Sequence, residues 1–164
     1  MGVVAIRIDA RLIHGQVATL WQGTWQCNRI MVIDEASAND PMLKSVLKIA
    51  CPSGVRLSVL EAPTASANLQ TPRYGKERIV IVTKEPSNLV TLVEGGYKLP
   101  VDITVGNMSG GSGKKKVANH ISVTDEDIAA FQKLNELGYN IVAQQVPSVS
   151  PQPFMPQLEA ALKE

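Results

Sequence analysis

The sequence predicts an α/β protein with an open, mostly parallel central sheet of about six or seven strands and helices on both faces. Short apolar runs alternate along the chain with segments whose apolar residues recur at helical spacing. Such alternation is typical of parallel strands that are joined by crossover helices. The run Arg78–Thr83 is almost entirely apolar, which is typical of a central strand covered on both faces. We expect residues 1–164 to form a single domain, since this length suits one hydrophobic core.

The first half of the chain contains four predicted strands and three predicted helices. The strands are 3–8, 29–33, 55–60 and 78–83, and the helices are 15–26, 39–50 and 63–70. The second helix has the clearest beginning, because Asp40 or Asn39 can cap it and Pro41 suits its first turn. Trp21 and Trp25 lie in the first helix, and their amphipathic spacing predicts that at least one is buried. An exposed tryptophan there could anchor a partner protein.

The second half of the chain contains three further strands and three further helices. The strands are 101–105, 117–123 and 140–146, and the helices are 86–93, 125–137 and 156–163. Thr124 begins the middle helix as its cap, with Asp127 at the third position of a capping box. A glycine-rich loop, 106–113, follows the fifth strand. The basic run Lys114–Lys116 after it is most simply a solvated cluster, and attraction of an acidic partner surface is the secondary interpretation. His120 falls inside the sixth strand, which predicts a packed or edge residue.

His14 lies where the first predicted strand passes into the first predicted helix. The first N–H groups of a helix have no partner within the helix, and the helix dipole makes that end partly positive. Arg11 adds a cation whose planar guanidinium suits phosphate oxygens, and Gly15 lacks a side chain that would keep a bound group from the backbone. Because imidazole titrates near pH 6.5, much of it is neutral and nucleophilic at cytoplasmic pH. The loop therefore has the parts of a phosphoryl-accepting histidine.

The same residues also have simpler interpretations. A single histidine at a helix start is more often a structural cap than a nucleophile, and an isolated Arg11 is most often a solvated surface cation. Ligands of open α/β sheets bind beyond the carboxyl ends of the strands, which is where this loop lies. From the residues alone, a phosphoryl-accepting role and a structural role for His14 both remain open.

The segment Arg7–Val17, RIDARLIHGQV, resembles a known active-site signature. The signature RIDDRLIHGQV belongs to the IIB components of the mannose/fructose/sorbose family of the bacterial sugar phosphotransferase system (PTS), and this chain matches ten of its eleven positions. The resemblance extends over essentially the whole chain. It includes Val32–Glu35, Val105–Gly110 and Ser122–Asn135. The one departure within the signature is Ala10, where the family commonly has a second Asp.

The resemblance implies a protein-N(π)-phosphohistidine–sugar phosphotransferase. His14 would be the phosphorylated nucleophile, taking the group from a phosphohistidine of a IIA protein and passing it to a sugar hydroxyl held by the IIC and IID membrane components. Arg11 would neutralise the phosphate, and family knowledge assigns the phosphate to Nδ1. The role of Asp9, as orienting group for the ring or as partner of Arg11, stays open because Ala10 replaces the second Asp. A homodimer also stays open, and no cofactor is implied.

Further residues around the loop are candidates for phosphate binding. Gly15, Gln16 and Val17 open the first helix, so their backbone N–H groups face a bound anion. Asn107 and Ser109 follow the fifth strand on the same predicted edge of the sheet and could donate hydrogen bonds to it. The simpler interpretation of their glycine-rich loop is an ordinary mobile connection.

Several other functions do not fit the sequence. The net charge of +1 gives no electrostatic argument for nucleic acid binding. Lys114 lacks Walker A spacing, since Met108 stands where the first glycine belongs. The two histidines lie outside ligand-like spacing of any cysteine, so we expect no metal site. Cys51 precedes a strand instead of a phosphate-binding helix, and we interpret it as a buried small hydrophobe.

The sequence also indicates a location and an alternative function. Two cysteines, no signal-peptide pattern and no apolar run of roughly 20 residues predict a reduced cytoplasmic protein. The family resemblance implies peripheral association with the membrane transporter. The alternative is a non-catalytic phosphate- or nucleotide-binding regulatory module, which would use the same helix N-terminus as an anion site.

Overall fold

The structure is a computed structural model that describes residues 2–164, apart from the side chains of Gln16 and Val17. Its strands are β1 Gly2–Asp9, β2 Arg29–Ile33, β3 Arg56–Leu60, β4 Arg78–Thr83, β5 Ile103–Asn107, β6 Lys115–Ala118, β7 Ile121–Val123, β8 Ile141–Ala143 and β9 Gln152–Pro153. Its helices are α1 Gly15–Trp25, α2 Glu35–Ala38, α3 Pro41–Ala50, α4 Ala62–Leu69, α5 Pro86–Glu94, α6 Asp125–Glu136 and α7 Phe154–Leu162.

Seven strands form one sheet in the order β3-β2-β4-β1-β5-β8-β9, in which only β9 runs antiparallel to its neighbour. The predicted fold class is therefore confirmed. Strand β1 lies at the centre, where Ile6 is paired with Ile81 on one side and Ile103 on the other. The chain leaves β1 toward β2 and leaves β5 toward β8, in opposite directions. A crevice is expected at the carboxyl ends of two strands that diverge in this way.

Two hydrophobic cores cover the two faces of the sheet. Helices α1 and α3 pack on one face, where Trp21 and Trp25 stack with ring centroids 5.4 Å apart and Leu47 joins them. Helices α4 to α7 pack on the other face, where the rings of Phe131 and Phe154 lie 4.6 Å apart. Both tryptophans are buried, so the predicted burial is confirmed and neither is an exposed anchor.

Most helices begin where the sequence predicts. Asp40 caps α3 by accepting a hydrogen bond from the backbone N–H of Met42, with Pro41 in the first turn. Thr124 and Asp127 form the predicted reciprocal capping box of α6, with both hydrogen bonds at 3.0 Å. Strand β4 is buried between β2 and β1, as its apolar sequence predicts. None of the helices within residues 2–164 has the length and apolar character that a bilayer crossing requires.

The predicted strand 117–123 is wrong. Strands β6 and β7 instead form an antiparallel hairpin with its own two-stranded sheet, and residues 119–120 make its turn. His120 is exposed in this turn with φ at 66°, a left-handed conformation that histidine adopts more readily than most residues. The apolar run appeared continuous because Asn119 and His120 interrupt it for only two residues. The packed or edge position predicted for His120 is therefore also wrong.

Several short elements were not predicted. Helix α2 follows Asp34, whose carboxylate accepts a hydrogen bond from the backbone N–H of Ser37. A 3-10 turn spans Pro72–Tyr74, and β9 pairs with β8 at the edge of the sheet. Strand β8 is shorter than the predicted 140–146. Each of these segments is too brief for periodicity to define it.

Both cysteines are free thiols. Cys27 is buried, and burial raises its pKa to about 11, so the thiol stays protonated at neutral pH. Cys51 is half-buried at the end of α3 and packs against the core beneath α1 and α3. It is a small apolar side chain as predicted, although less buried than expected.

Candidate active site

A tight loop joins β1 to α1. The backbone N–H of Ala10 donates to the carbonyl of Asn107 on β5 at 2.8 Å, and that of Leu12 donates to the carbonyl of Asp9 at 3.0 Å. Leu12 has φ at 57°, a left-handed conformation that is costly for a branched side chain. The buried side chains of Leu12 and Ile13 anchor the loop in the core. The backbone that leads to His14 is thus held in one place.

His14 is the N-cap residue of α1, which confirms its predicted place between strand and helix. Its backbone is extended, with φ at −145° and ψ at 152°, and its carbonyl accepts from Ala18 at 2.9 Å. The imidazole makes no capping hydrogen bond. The first N–H groups of α1 are therefore not occupied by this side chain and can bind an anion.

The imidazole of His14 has one buried and one accessible side. Nε2 is buried without a hydrogen-bond partner, 4.0 Å from Oδ2 of Asp9, while the side chain as a whole is 26% exposed. The accessible part of the ring therefore lies away from Nε2. The pKa of His14 is lowered, mainly by burial and secondly by the positive charge of Arg11, while Asp9 opposes the shift. At neutral pH the imidazole is accordingly uncharged and nucleophilic.

Asp9 connects the charged groups of the site. Its carboxylate is fully buried, and Oδ1 accepts from the backbone N–H of Arg11 at 3.0 Å and from Nε of Arg11 at 3.4 Å. Oδ2 lies 3.4 Å from both Nε and Nη2 of Arg7 and faces Nε2 of His14. Asp9 thus contacts Arg11 and also lies near the ring of His14, so its position is compatible with both roles that the sequence left open.

Arg11 reaches from this buried carboxylate to solvent. Its side chain is 45% exposed, and the described contacts hold it only through Nε. The terminal nitrogens of the guanidinium are therefore available to phosphate oxygens, which match their planar donor geometry.

Arg7 is a site residue that sequence reasoning missed. It is 2% exposed, and Nη1 and Nη2 donate to the carbonyls of Gln144 and Gln145 at 2.9 and 2.8 Å. Burial lowers its pKa, while Asp9 opposes the shift. The guanidinium carbon lies 4.8 Å from the ring centre of Trp21, in cation–π geometry. A usable signal was present, since a cation that follows the apolar run of the predicted strand 3–8 needs buried partners if that strand is covered.

Gly106 was also missed as a site residue. A Cβ atom at this position would lie 2.2 Å from the guanidinium carbon of Arg7, far inside contact distance. The glycine is therefore required for the buried arginine to fit beside β5.

The remaining predicted phosphate-binding residues lie at different places. Gly15 is exposed, with no atom within 4 Å of the position that a Cβ would occupy. Gln16 and Val17 lie in the first turn of α1, and their side chains are outside the described residues. Asn107 is paired with Asp9 at the end of β5. Ser109 is exposed and, with Ala10, lines a cavity of about 240 Å³ that His14 does not line.

Lys114 and Lys116 are exposed, as a solvated cluster would be. Lys114 also donates from Nζ to the carbonyl of Ser109 at 2.9 Å, and Lys115 donates to the backbone oxygen of Glu164 at 3.2 Å. These two exposed hydrogen bonds connect the lysine run with the glycine-rich loop and with the end of α7.

Comparison with known proteins gives consistent matches over most or nearly all of the chain. Residues 3–164 match the family model described as the PTS system sorbose subfamily IIB component. The mannose-specific EIIAB component of the PTS of Escherichia coli strain K12 is 38% identical over 140 residues, 85% of this chain and 43% of that protein. The chain therefore spans less than half the length of that relative. The fructose-specific EIIB component of Bacillus subtilis strain 168 is 31% identical over 163 residues, 99% of each chain.

A solved structure has nearly the same fold as this chain. The crystal structure of the IIBSor domain of the sorbose permease from Klebsiella pneumoniae superimposes with a TM-score of 0.92 at 29% identity, covering 98% of both chains.

The electrostatics of the site predict how His14 titrates. We expect its pKa to lie below the ordinary value near 6.5, and Arg11→Gln to raise it because a neighbouring positive charge is removed. The measurement is an NMR titration of the imidazole in a His120→Gln background, which leaves a single histidine signal. Arg73→Gln, at an exposed arginine in the 3-10 turn, is the matched control. A His14 pKa that is unchanged or lower in Arg11→Gln would contradict the assignment.

Proposed function

The chain belongs to the sorbose subfamily of PTS IIB components, and from that membership we propose that His14 carries the phosphoryl group of a sugar transporter. IIB components are phosphotransferases that move phosphate from a IIA protein to a sugar. One structural observation carries the assignment to His14. A partly exposed imidazole with a lowered pKa stands at the start of a helix, beside the half-exposed guanidinium of Arg11.

In the first half-reaction, we propose that the lone pair of Nδ1 attacks the phosphorus of a phosphohistidine on IIA. A new N–P bond forms, the donor N–P bond breaks, and the donor histidine recovers its neutral ring. Burial of Nε2 and the exposure of the rest of the ring support Nδ1 as the nucleophilic atom. Asp9 faces Nε2 and can accept its hydrogen bond when the ring turns toward it, which keeps the proton there and the lone pair on Nδ1.

In the second half-reaction, a sugar hydroxyl attacks the same phosphorus, the N–P bond of His14 breaks, and the hydroxyl proton is released. Arg11 and the backbone N–H groups of Gly15, Gln16 and Val17 balance the charge of the phosphoryl group in both steps. Asn107 and Ser109 are secondary candidates from the neighbouring loop. In the first step one phosphohistidine is exchanged for another of similar energy, so the site acts through positioning and charge neutralisation and need not supply a large driving force.

The role also implies partners and a place in the cell. We propose that residues 1–164 act as a single IIB domain at the cytoplasmic face of the membrane, between a IIA protein and the IIC and IID components. The family match over residues 3–164 supports the assignment of one domain. A regulatory module that binds phosphate without transferring it is the alternative, and no observation favours it.

Labelling tests the carrier role directly. We expect radioactive phosphoenolpyruvate, the general phosphotransferase proteins and a IIA protein to produce an acid-labile label on the chain. His14→Gln removes the nitrogen nucleophile and should abolish that label, while His120→Gln, at the exposed hairpin histidine, should retain it. Reversible phosphate binding without any label would contradict the carrier and favour the regulatory module.

The role of Arg11 gives a rate prediction. We expect Arg11→Ala to slow labelling by ~10²-fold or more, because it removes a charge that contacts the transferring group. Arg11→Lys should recover part of the rate, since it restores the charge without the planar donors. Rapid-quench labelling gives the rate, and circular dichroism checks that the fold is intact. A labelling rate for Arg11→Ala equal to that of the parent would remove Arg11 from the mechanism.

We further propose that the chain forms a homodimer through α3. Met42, Val46 and Ile49 recur at helical spacing on this helix and are exposed, Ile49 by 86%. Acidic Glu35 and Asp40 lie before α3, while Lys44 lies in the first half of the helix and Lys48 in its last turn. A second copy packed antiparallel about a twofold axis would place the acidic end of each helix against the basic end of the other. The apolar stripe and the charge pattern are thus both self-complementary.

Sedimentation at several concentrations tests the dimer. We expect the parent chain to dimerise, and Val46→Lys/Ile49→Lys to be monomeric, because like charges would then face each other across the twofold axis. Leu137→Lys, at an exposed leucine after α6, is the control and should leave the dimer intact. A parent chain that stays monomeric at every concentration would overturn the proposal.

A further inference from the structure

We propose that Arg7 is a positioning residue for His14 and Arg11, acting through Asp9. This inference rests on the proposed phosphoryl transfer at His14. Arg7 would fix the buried carboxylate so that one oxygen holds Arg11 and the other directs Nε2–H of His14. Gly106 and Trp21 belong to the same arrangement, because they determine where the guanidinium of Arg7 can lie.

The guanidinium of Arg7 is confined on four sides. Asp9 lies against Nε and Nη2, and two backbone carbonyls beyond β8 accept from Nη1 and Nη2. The ring of Trp21 covers one face, and the backbone of Gly106 lies so close that it leaves no room for a Cβ. A guanidinium group with this many partners can adopt only one orientation. The carboxylate that it contacts is fixed with it.

The charge balance of the site depends on this contact. A fully buried carboxylate needs a paired counter-charge, and a half-exposed arginine such as Arg11 supplies less of it because solvent screens its charge. Arg7 is the buried cation beside Asp9, and it contacts Oδ2, the same oxygen that faces Nε2 of His14. Losing Arg7 would therefore disturb the oxygen that the imidazole uses.

The same guanidinium also secures the helix that begins at His14. Trp21 belongs to α1, and its Nε1–H lies 3.4 Å from the carbonyl of Gln145, which also accepts from Arg7. Arg7 thus links β1, α1 and the segment after β8 at one point. The guanidinium of Arg7 therefore positions both the helix that begins at His14 and the carboxylate that faces the His14 ring.

The chemical consequence is a choice between two tautomers. A fixed Oδ2 favours the neutral imidazole with its proton on Nε2, which leaves the Nδ1 lone pair free to attack phosphorus. The present Nε2–Oδ2 separation of 4.0 Å exceeds a hydrogen bond, and a small rotation of the ring would close it. Without Arg7, both tautomers would be populated and the nucleophilic form would become less frequent.

The first test is the tautomer in the parent chain. NMR shifts of the two imidazole nitrogens, recorded above the pKa of His14 in the His120→Gln background, should show the proton predominantly on Nε2. A neutral His14 with its proton predominantly on Nδ1 would overturn the inference. This measurement requires no change at Arg7 and no phosphorylation, so its outcome is independent of the proposed function.

The second test removes both charges of the pair together. Arg7→Met/Asp9→Asn leaves no unpaired buried charge, which favours folding, and should shift the tautomer ratio and slow labelling about tenfold to a hundredfold. The matched control is Arg29→Met/Glu77→Gln, which removes the ion pair at the opposite end of the sheet. It should leave both the tautomer ratio and the labelling rate at parent values.

A charge-conserving variant separates position from charge. Gly106→Ala keeps Arg7 but would displace its guanidinium, and should shift the tautomer ratio in the same direction. A folded Arg7→Met/Asp9→Asn chain with the parent tautomer ratio and labelling rate would overturn the inference, even though label on His14 would still support the proposed function. Absence of label on the parent chain would overturn the proposed function alone, because the tautomer ratios still decide the role of Arg7.

Discussion

The site depends on a buried ion pair at the carboxyl end of the central strand. Arg7 and Asp9 both point to the face of the sheet that α1 covers, and neither has meaningful access to solvent. A buried pair of this kind contributes little net stability, because desolvation offsets most of the attraction between the charges. Its effect is to hold a carboxylate in a fixed orientation beneath a loop that carries both an imidazole and a second guanidinium.

The location of the pair follows from the sheet topology. Strand β1 is central, and the chain departs in opposite directions after β1 and after β5. The loops that follow these strands therefore separate and leave open the space above the sheet. His14 lies at this end of the sheet because α1 begins at the next residue. The helix terminus and the charged carboxylate consequently act on the same ring.

The sequence was sufficient for the features that depend on local patterns. Alternating apolar runs predicted the sheet, Thr124 and Asp127 predicted a capping box, and the junction at His14 followed from the boundary between two patterns. Features that depend on long-range contacts were missed. The two backbone carbonyls that accept from Arg7 lie more than 130 positions away along the chain, and local spacing carries no information about them. The prediction at the His120 hairpin failed for a different reason, because the two-residue turn leaves hardly any gap in an apolar run.

The charges of the site suit a carrier more than a tight phosphate binder. With His14 neutral, two guanidinium groups and one carboxylate leave the immediate surroundings with a single net positive charge, against the two negative charges of a phosphoryl group. A full set of compensating charges would stabilise phosphohistidine and slow the transfer of its phosphoryl group to the sugar. A site without any compensating charge would keep phosphohistidine from forming. The related signature has an aspartate at position 10, so Ala10 leaves this loop with one negative charge fewer. Under the proposed function, the loop would therefore meet a phosphoryl group with one acidic side chain fewer, and no second carboxylate in the loop would compete for the exposed nitrogens of Arg11.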